Sequence, residues 1–475
     1  MHSRAIRPIL LALASCAALT GCPLPSTPKG DDLNTQAMPN MKPPAKWAAG
    51  PVDTADVVPG WLASFHDPTL DGLVADAMAY NPDLRVAAAR VEAAEAATRA
   101  AGGMLYPQLN VLGHGGGKMG GDGSGLQVFG LFAKWEIDLW GRVRASRASS
   151  TAQYEATELD RRYARESIAA LVAKSWFLAR EAALQRAIAL QMVGSAEDLV
   201  KLTNDRVRVG NSDELESSQA EANVLSYRDL ALQAELARDN ALRSIELLAG
   251  RYPSAALQAP DDLPALPGPV PVGLPSQLLE RRPDVVAAER RVAASFYNIR
   301  QAQAARLPTI SLTASVNSVS SDLIVLKERD NPVWGVGANL LFPLFSGGTL
   351  AAQVDVATAD QKAALAQYAS IGARAFGEVE NALSASFNLD RRYDVLARSV
   401  QANERALGFV RVRYDVGNAD LRAVQQQYLT LYTARSTFTG VRAQQLVQRV
   451  NLHLALGGGF EAAPPPPPAT PGEKQ

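Results

Sequence analysis

The chain carries one sequence pattern twice, and this internal repeat limits its possible folds more than any other feature. Residues 73–107 return at 274–308, with the proline pair of the first copy matched by a proline pair in the second. Residues 206–211 return later at 413–418, in the same order along the chain. Two near-equal copies predict a pseudo-symmetric protomer, and a doubled unit with incomplete sheets can close into a tube by assembling with further copies.

Residues 1–21 are typical of a bacterial lipoprotein signal peptide. Two arginines precede an apolar run at 9–19, which is too short to span a bilayer as a helix. The run ends in Leu-Thr-Gly-Cys, which resembles the lipobox, whose cysteine receives a diacyl lipid. A plain signal peptide followed by a chance cysteine is the alternative. We expect a covalent lipid on Cys22 and, because no aspartate follows it, sorting to the outer membrane.

Cysteine content, charge and motifs exclude several functions. Cys16 would leave with the signal peptide, so no thiol remains for a disulfide or a metal site. The formal net charge of -1 gives no basic footprint for nucleic acid. The four histidines are scattered, and Met119 stands where a phosphate-binding loop needs Ser or Thr. We therefore predict no enzymatic activity, no metal and no cofactor beyond the lipid, and no apolar stretch is long enough for a transmembrane helix.

Each copy contains a predicted β-hairpin. The strands are expected at about 108–113 and 126–139 in the first copy, and at about 309–319 and 333–342 in the second. Apolar and polar residues alternate along them, most clearly at 309–319. Strands of about ten residues with one apolar and one polar face are typical of transmembrane β-barrels. A soluble sandwich with one wet face shows the same alternation, and strand spacing does not decide between them.

A long alanine-rich helix without proline follows each hairpin, at 144–206 and 349–413. Each would span roughly 90–100 Å and must pack laterally along its length. The chain is expected to reverse at Gly210 and Gly417, where glycine accepts the positive φ of a helix end. The remaining helices are predicted at 70–103, where Asp83 after Pro82 resembles a restart signal for a second segment, and at 213–249, 275–305 and 420–456.

Four strands per chain cannot close a barrel, and open sheet edges in lipid leave backbone groups unsatisfied. Two chains would give eight strands with an interior filled by side chains, whereas three chains would give twelve strands and room for water. Small polar side chains on one face suit a wet lumen: Ser311, Thr313, Ser315 and Asn339. These considerations favour a trimer.

Several segments together closely resemble the outer membrane factor family, that is, TolC, OprM and the NodT-type efflux lipoproteins. They lie at 135–142, 274–284, 306–312, 342–348 and 451–459. The resemblance implies an α+β membrane protein that forms a homotrimer. Its four strands per protomer would build a 12-stranded outer-membrane β-barrel, and its long helices a 12-helix periplasmic α-barrel.

The resemblance also implies the function. The protein would be the exit duct of a tripartite efflux system, passively conducting drugs or other solutes from an inner-membrane RND-type pump and a periplasmic adaptor to the exterior. A channel of a type I protein secretion system is the alternative, followed by a non-channel periplasmic structural lipoprotein. The expected organisation is a signal peptide (1–21), an extended lipid-anchored tether (22–60), repeat 1 (61–250), a proline-rich equatorial linker (251–274), repeat 2 (275–459) and a disordered tail (460–475).

In the family, the two helix turns form a periplasmic tip that docks on the adaptor. The residues at these places are Arg206, Val209, Gly210, Asn211, Arg413, Val416, Gly417 and Asn418. Helix capping accounts for the same pattern, since glycine or asparagine ends helices and arginine favours the C-terminal dipole. Both interpretations can hold at once.

Family members close the tunnel at the tip by polar contacts between helices of the two repeats. Tyr414 and Glu216 fall at the places of a tyrosine and a carboxylate that act in this way, so the resemblance implies a phenol–carboxylate hydrogen bond that breaks on opening. The alternative is that both face solvent. Asp420 is the acidic residue nearest to the lumen-facing aspartates of some members, and a three-fold ring of it would prefer cations.

Overall fold

The computed structural model describes residues 26–50, 52–114, 127–210, 212–320 and 333–462. Cys22, Asn211 and most of the C-terminal tail lie outside the described residues. The described chain is α+β, with long helices and one four-stranded sheet. No helix among these residues is long and apolar enough to cross a membrane.

The order of elements repeats once along the chain. The helices are α1 (Gly30–Ala37), α2 (Pro68–Tyr80), α3 (Pro82–Gly103), α4 (Arg142–Arg208), α5 (Glu214–Leu248), α6 (Leu278–Arg281), α7 (Pro283–Ala304), α8 (Thr349–Asp415) and α9 (Leu421–Ala455). The strands are β1 (Gln108–His114), β2 (Gln127–Ile137), β3 (Thr309–Ser320) and β4 (Val333–Leu341). Corresponding helices are equal in length: 22 residues in α3 and α7, 67 in α4 and α8, and 35 in α5 and α9. The internal duplication of the sequence is therefore a duplication of structure.

The helical segment predicted at 70–103 is two helices, and the break at Asn81 directly precedes the predicted restart at Pro82. Pro82 has no N–H to donate and fits only the first turn of a new helix. The Asn81 side chain supports the break on both sides, since its Oδ1 accepts from Leu84 N at 3.1 Å and its Nδ2 donates to Leu248 O at 2.9 Å. In the second copy, α7 likewise begins at Pro283.

The chain divides into two compact units. Unit 1 comprises Met1–Met41, Ala88–Asp160 and Asp284–Ile371, and it contains the sheet. The four strands form an antiparallel meander in the order β1-β2-β3-β4. Each copy therefore contributes one hairpin, and the two hairpins pair through β2 and β3.

Unit 2 comprises Lys42–Ala87, Arg161–Pro283 and Gly372–Gln475. Its core contains the large side chains Trp61, Phe65, Leu70, Trp176, Phe177, Leu242, Ile245 and Leu446. Asp67 is buried beside this core and caps α2 by accepting from Thr69 N and Leu70 N, both at 3.1 Å. Its second oxygen accepts from Trp176 Nε1 at 2.8 Å and Arg180 Nη1 at 2.6 Å. The buried charge is thus paired and hydrogen-bonded, as burial requires.

Two expectations about the ends of the chain are corrected. The predicted extended tether is a packed segment from α1 onward: Leu33 is fully buried in α1, and the Trp47 indole donates to Gly273 O at 3.1 Å. The tail does not begin at residue 460, because Phe460 is buried in the unit 2 core and Glu461 forms an ion pair with Arg165 at 2.7 Å. In both places apolar side chains gain more from burial than an extended chain would allow.

Candidate functional site

One face of the sheet is apolar from edge to edge. The register sets Leu131 opposite Val316, and Ala314 opposite Val336, so every second residue of each strand joins the same face. Its large side chains are exposed in the protomer: Leu109, Val111, Phe129, Leu131, Trp135, Leu312, Val316, Trp334, Val336 and Leu340. A sheet face this apolar, without a covering layer in the protomer, matches the lipid-facing side of a transmembrane sheet.

The opposite face of the sheet is mainly small or polar. Ser311 lies opposite Asn339, and β4 presents glycines at positions 335 and 337. Gly130 of β2 lies closest to its neighbour, since a Cβ built there would be 2.5 Å from Asn317 Cα. Small side chains on this face leave the space above it open to water, which suits the wall of an aqueous lumen.

Polar contacts fix the junction between β2 and α4 and tie it to the starts of β1 and β3. Asp138 caps α4 by accepting from Val143 N and Arg144 N, both at 2.9 Å. Trp135 and Trp140, each partly exposed, donate their indole N–H groups to Leu105 O at 2.9 Å and Pro308 O at 2.8 Å. Amphipathic tryptophans at the base of an apolar sheet face fit the aromatic belt of a membrane interface.

The two turns between long and short helices have the same construction. Gly210 and Gly417 adopt φ of +80° and +79°, which a residue with a Cβ adopts only with strain. In the second turn Asn418 N donates to Arg413 O at 2.7 Å, closing the helix end in a Schellman-type cap. Val209 and Val416, just before the glycines, are 67% and 65% exposed. Each turn therefore presents an apolar side chain outward beside a bend that needs glycine.

Matching aspartates begin the returning helices. Asp213 accepts from Glu216 N at 2.9 Å, and Asp420 accepts from Ala423 N at 2.8 Å. These are N-cap contacts, which satisfy an orphan donor of the first helical turn. Asp420 is exposed as well, so capping and the proposed cation-attracting ring are compatible. Asp213 was not among the predicted site residues, although it precedes its helix as Asp420 does in the other copy.

The structure replaces the predicted Tyr414–Glu216 hydrogen bond with a different contact. Tyr414 is 2% exposed, and the Arg206 guanidinium carbon lies 3.9 Å from the centroid of its ring. Arg206 Nη2 also donates to Tyr414 O at 3.0 Å. Glu216 instead accepts from the Ser212 hydroxyl. The predicted bond is therefore wrong for this conformation, because Tyr414 is buried between the helices and Arg206 covers its ring.

The Tyr414 hydroxyl is buried without a hydrogen-bond partner. Thr203 is its polar side-chain neighbour, and the Thr203 hydroxyl donates to Leu199 O at 2.8 Å. Burial raises the pKa of Tyr414, and the positive charge of Arg206 opposes this rise. The phenol therefore stays neutral, and its ring rather than its hydroxyl forms the contact.

These geometries agree with comparisons to known proteins. The family model described as outer membrane efflux protein matches residues 73–251 and 274–458. The chain belongs to the outer membrane efflux protein family. The two matched segments coincide with the two structural copies, one for each β-hairpin and long helix.

Relatives of this efflux protein match it along nearly its whole length. The pyoverdine export outer membrane protein OpmQ of Pseudomonas aeruginosa is 31% identical over 471 residues, 95% of this chain and 97% of that protein. The cation efflux system protein CusC of Escherichia coli is 31% identical over 463 residues, 95% and 99% of the two chains. The solved structure of the outer-membrane channel OprN superposes with a TM-score of 0.84 at 29% identity, covering 93% of this chain and all of that one. The protein is an outer-membrane efflux channel.

Proposed function

We propose that this efflux channel is the passive exit duct of a tripartite system. It would receive drugs or other solutes from an inner-membrane RND-type pump through a periplasmic adaptor, and release them outside. The observation that carries the proposal is the sheet, with one face apolar across all four strands and the other small and polar. A sheet that faces lipid on one side and water on the other has the character of a pore wall. The duct itself would catalyse no reaction.

The edges of the sheet support a homotrimer. Among the described strands, β1 pairs only with β2, and β4 pairs only with β3. Unpaired edge N–H and C=O groups in lipid cost several kcal/mol each. Pairing β4 of one protomer with β1 of the next removes both edges. Three protomers then give twelve strands with the polar face inside. The long helices of the three protomers would then line the periplasmic tunnel.

The helix turns are the proposed docking tip for the adaptor. Val209 and Val416 are exposed apolar side chains next to arginines, a combination suited to a protein partner. The lipid on Cys22 would provide a second attachment to the outer membrane.

The relatives differ in the cargo that their names state, although their sequences align along their whole length. One exports pyoverdine and another is part of a cation efflux system. A shared duct with different cargo supports selection of the cargo by the pump rather than by the channel.

A deletion strain tests this function. Loss of the gene should lower the minimal inhibitory concentration of several drugs or metals in a panel, and the wild-type gene should restore it. Partial restoration of the minimal inhibitory concentration by a Cys22→Ser variant would show that the lipid supports assembly but is not required for conduction. If the panel is unchanged while a secreted protein disappears from the medium, the channel serves type I secretion instead.

A further inference from the structure

The mainly polar face of the sheet carries one lysine in neutral surroundings. Lys134 on β2 is exposed and lies opposite Gln108 on β1 and Thr313 on β3. The same face of β3 and β4 has no ionisable side chain within the described strands. Lys134 therefore has only uncharged cross-strand neighbours.

The next two carboxylates along the chain, Glu136 in β2 and Asp138 just after it, are each paired with an arginine. Glu136 accepts from Arg142 Nε at 3.0 Å and Arg142 Nη2 at 2.7 Å. Asp138 accepts from Arg144 Nε at 3.1 Å, in addition to its capping contacts. Each acid is matched by one arginine, so neither compensates a further positive charge. Among the ion pairs of the described residues, none includes Lys134, and its charge remains uncompensated.

An uncompensated charge on the wall of a water-filled channel acts on passing ions. Its field reaches about 10 Å at 0.1 M salt, and a low-dielectric wall concentrates it. We propose that Lys134 sets the ionic preference at this level of the channel and favours anionic over cationic solutes. The inference rests on the proposed function, because it requires the polar face to line water. A trimer would place three such lysines, one from each protomer, at one level of the pore.

The local potential can be measured by the rate at which a reporter thiol reacts. In the full-length protein, Thr313→Cys places a thiol directly opposite Lys134. Its rates of reaction with two methanethiosulfonate reagents are compared, one carrying an anionic sulfonate and the other a cationic ammonium group. The parent protein, without the introduced thiol, gives the background rate. Coulomb's law in water gives roughly a threefold effect per reagent at about 6 Å. Lys134→Gln should therefore lower the anionic-to-cationic rate ratio about tenfold, and Lys134→Arg should preserve it.

Asn317→Cys is the matched control. It lies on the same face of β3, about 13 Å from position 313, which is the position opposite Lys134. This separation exceeds one Debye length at 0.1 M salt. Its rate ratio should stay within about twofold when Lys134 is replaced. If both thiols react but the ratio at position 313 does not change, the inference is overturned while the channel stands. If neither thiol reacts, the polar face does not line water, and the proposed function fails together with the inference.

Discussion

At the residue scale, Arg206 and Tyr414 join the ends of the two long helices, one from each copy. The carbonyl of Tyr414 accepts from Arg206 Nη2 and also from Gly417 N, both at 3.0 Å. The arginine thus satisfies a C-terminal carbonyl of α8 while its guanidinium covers the aromatic ring. The other copy lacks this arrangement, because Val207 occupies the place of Tyr414 and Arg413 is exposed. This contact therefore lies where the two copies of the repeat differ.

Loss of Arg206 should loosen the tip. Arg206→Gln removes the stacked charge and shortens the side chain, so we expect increased vancomycin entry and higher single-channel conductance. Tyr414→Phe should behave as wild type, because the hydroxyl has no partner to lose. Arg413→Gln, at the matching place in the other copy, is the control and should leak less than Arg206→Gln. Equal leakage of Tyr414→Phe and Arg206→Gln would instead support the phenol–carboxylate contact with Glu216.

His453 is a second residue with a measurable consequence. It is buried, its ring stacks on Trp61 with centroids 5.8 Å apart, and its Nδ1 has no hydrogen-bond partner. Burial, assisted by the charge of Arg449, lowers the pKa of His453 to about 4. The folded protein therefore keeps this histidine neutral at a pH where the unfolded chain already binds a proton.

Stability should consequently fall as the pH decreases from about 6.5 to about 4. Above this pH window His453 is neutral in both the folded and the unfolded state, so its protonation does not affect stability. Below the window, this one group lowers the free energy of unfolding by about 3 kcal/mol. Urea unfolding followed by tryptophan fluorescence should show a flatter pH dependence for His453→Gln. His66→Asn, at an exposed histidine with a left-handed backbone, is the control. A slope in His453→Gln equal to the wild-type slope would contradict this role.

At the element scale, the pairing of β2 with β3 holds the two copies together in the sheet. Gly130 permits this pairing, because any Cβ there would meet Asn317 Cα and Val316 O at 2.5 Å. Both of these atoms belong to the backbone of β3, so no side-chain rotation can relieve the clash. Gly335 on β4 differs, since its nearest neighbour would be the Ser315 hydroxyl at 3.6 Å.

Gly130→Ala should therefore prevent assembly, while Gly335→Ala should be tolerated. The measurement is the amount of heat-sensitive oligomer extracted from outer membranes in mild detergent. Normal assembly of Gly130→Ala would mean that β2 and β3 do not pair in the register described.

Elements with a local signal were predictable from the sequence. The alternation at 309–319 located β3, and Pro82 marked the point where a second helix starts. Helix α1 was missed because its few apolar residues have no clear period, and its contacts come from distant residues: Tyr368 donates to Asn34 Oδ1 at 2.6 Å. The contact between Arg206 and Tyr414 joins residues 208 positions apart. No local pattern reports such a pair, and only the resemblance drew attention to Tyr414.

At the scale of the whole molecule, the repeat explains how a short sheet can serve a large pore. Each copy supplies one hairpin, one long helix and one shorter returning helix. Two copies in each of three chains would give six near-equivalent units around one axis. The apolar faces would then form one lipid-facing band, and the polar faces one lumen.

Conductance in a planar bilayer tests this account most directly. The purified full-length protein should insert as an oligomer and produce discrete conductance steps, larger in Arg206→Gln than in wild type. Cross-linking should show that the inserted species contains three chains. A folded oligomer that binds the bilayer but gives no steps, in the wild type and in Arg206→Gln alike, would contradict the conclusion that the chain forms a channel.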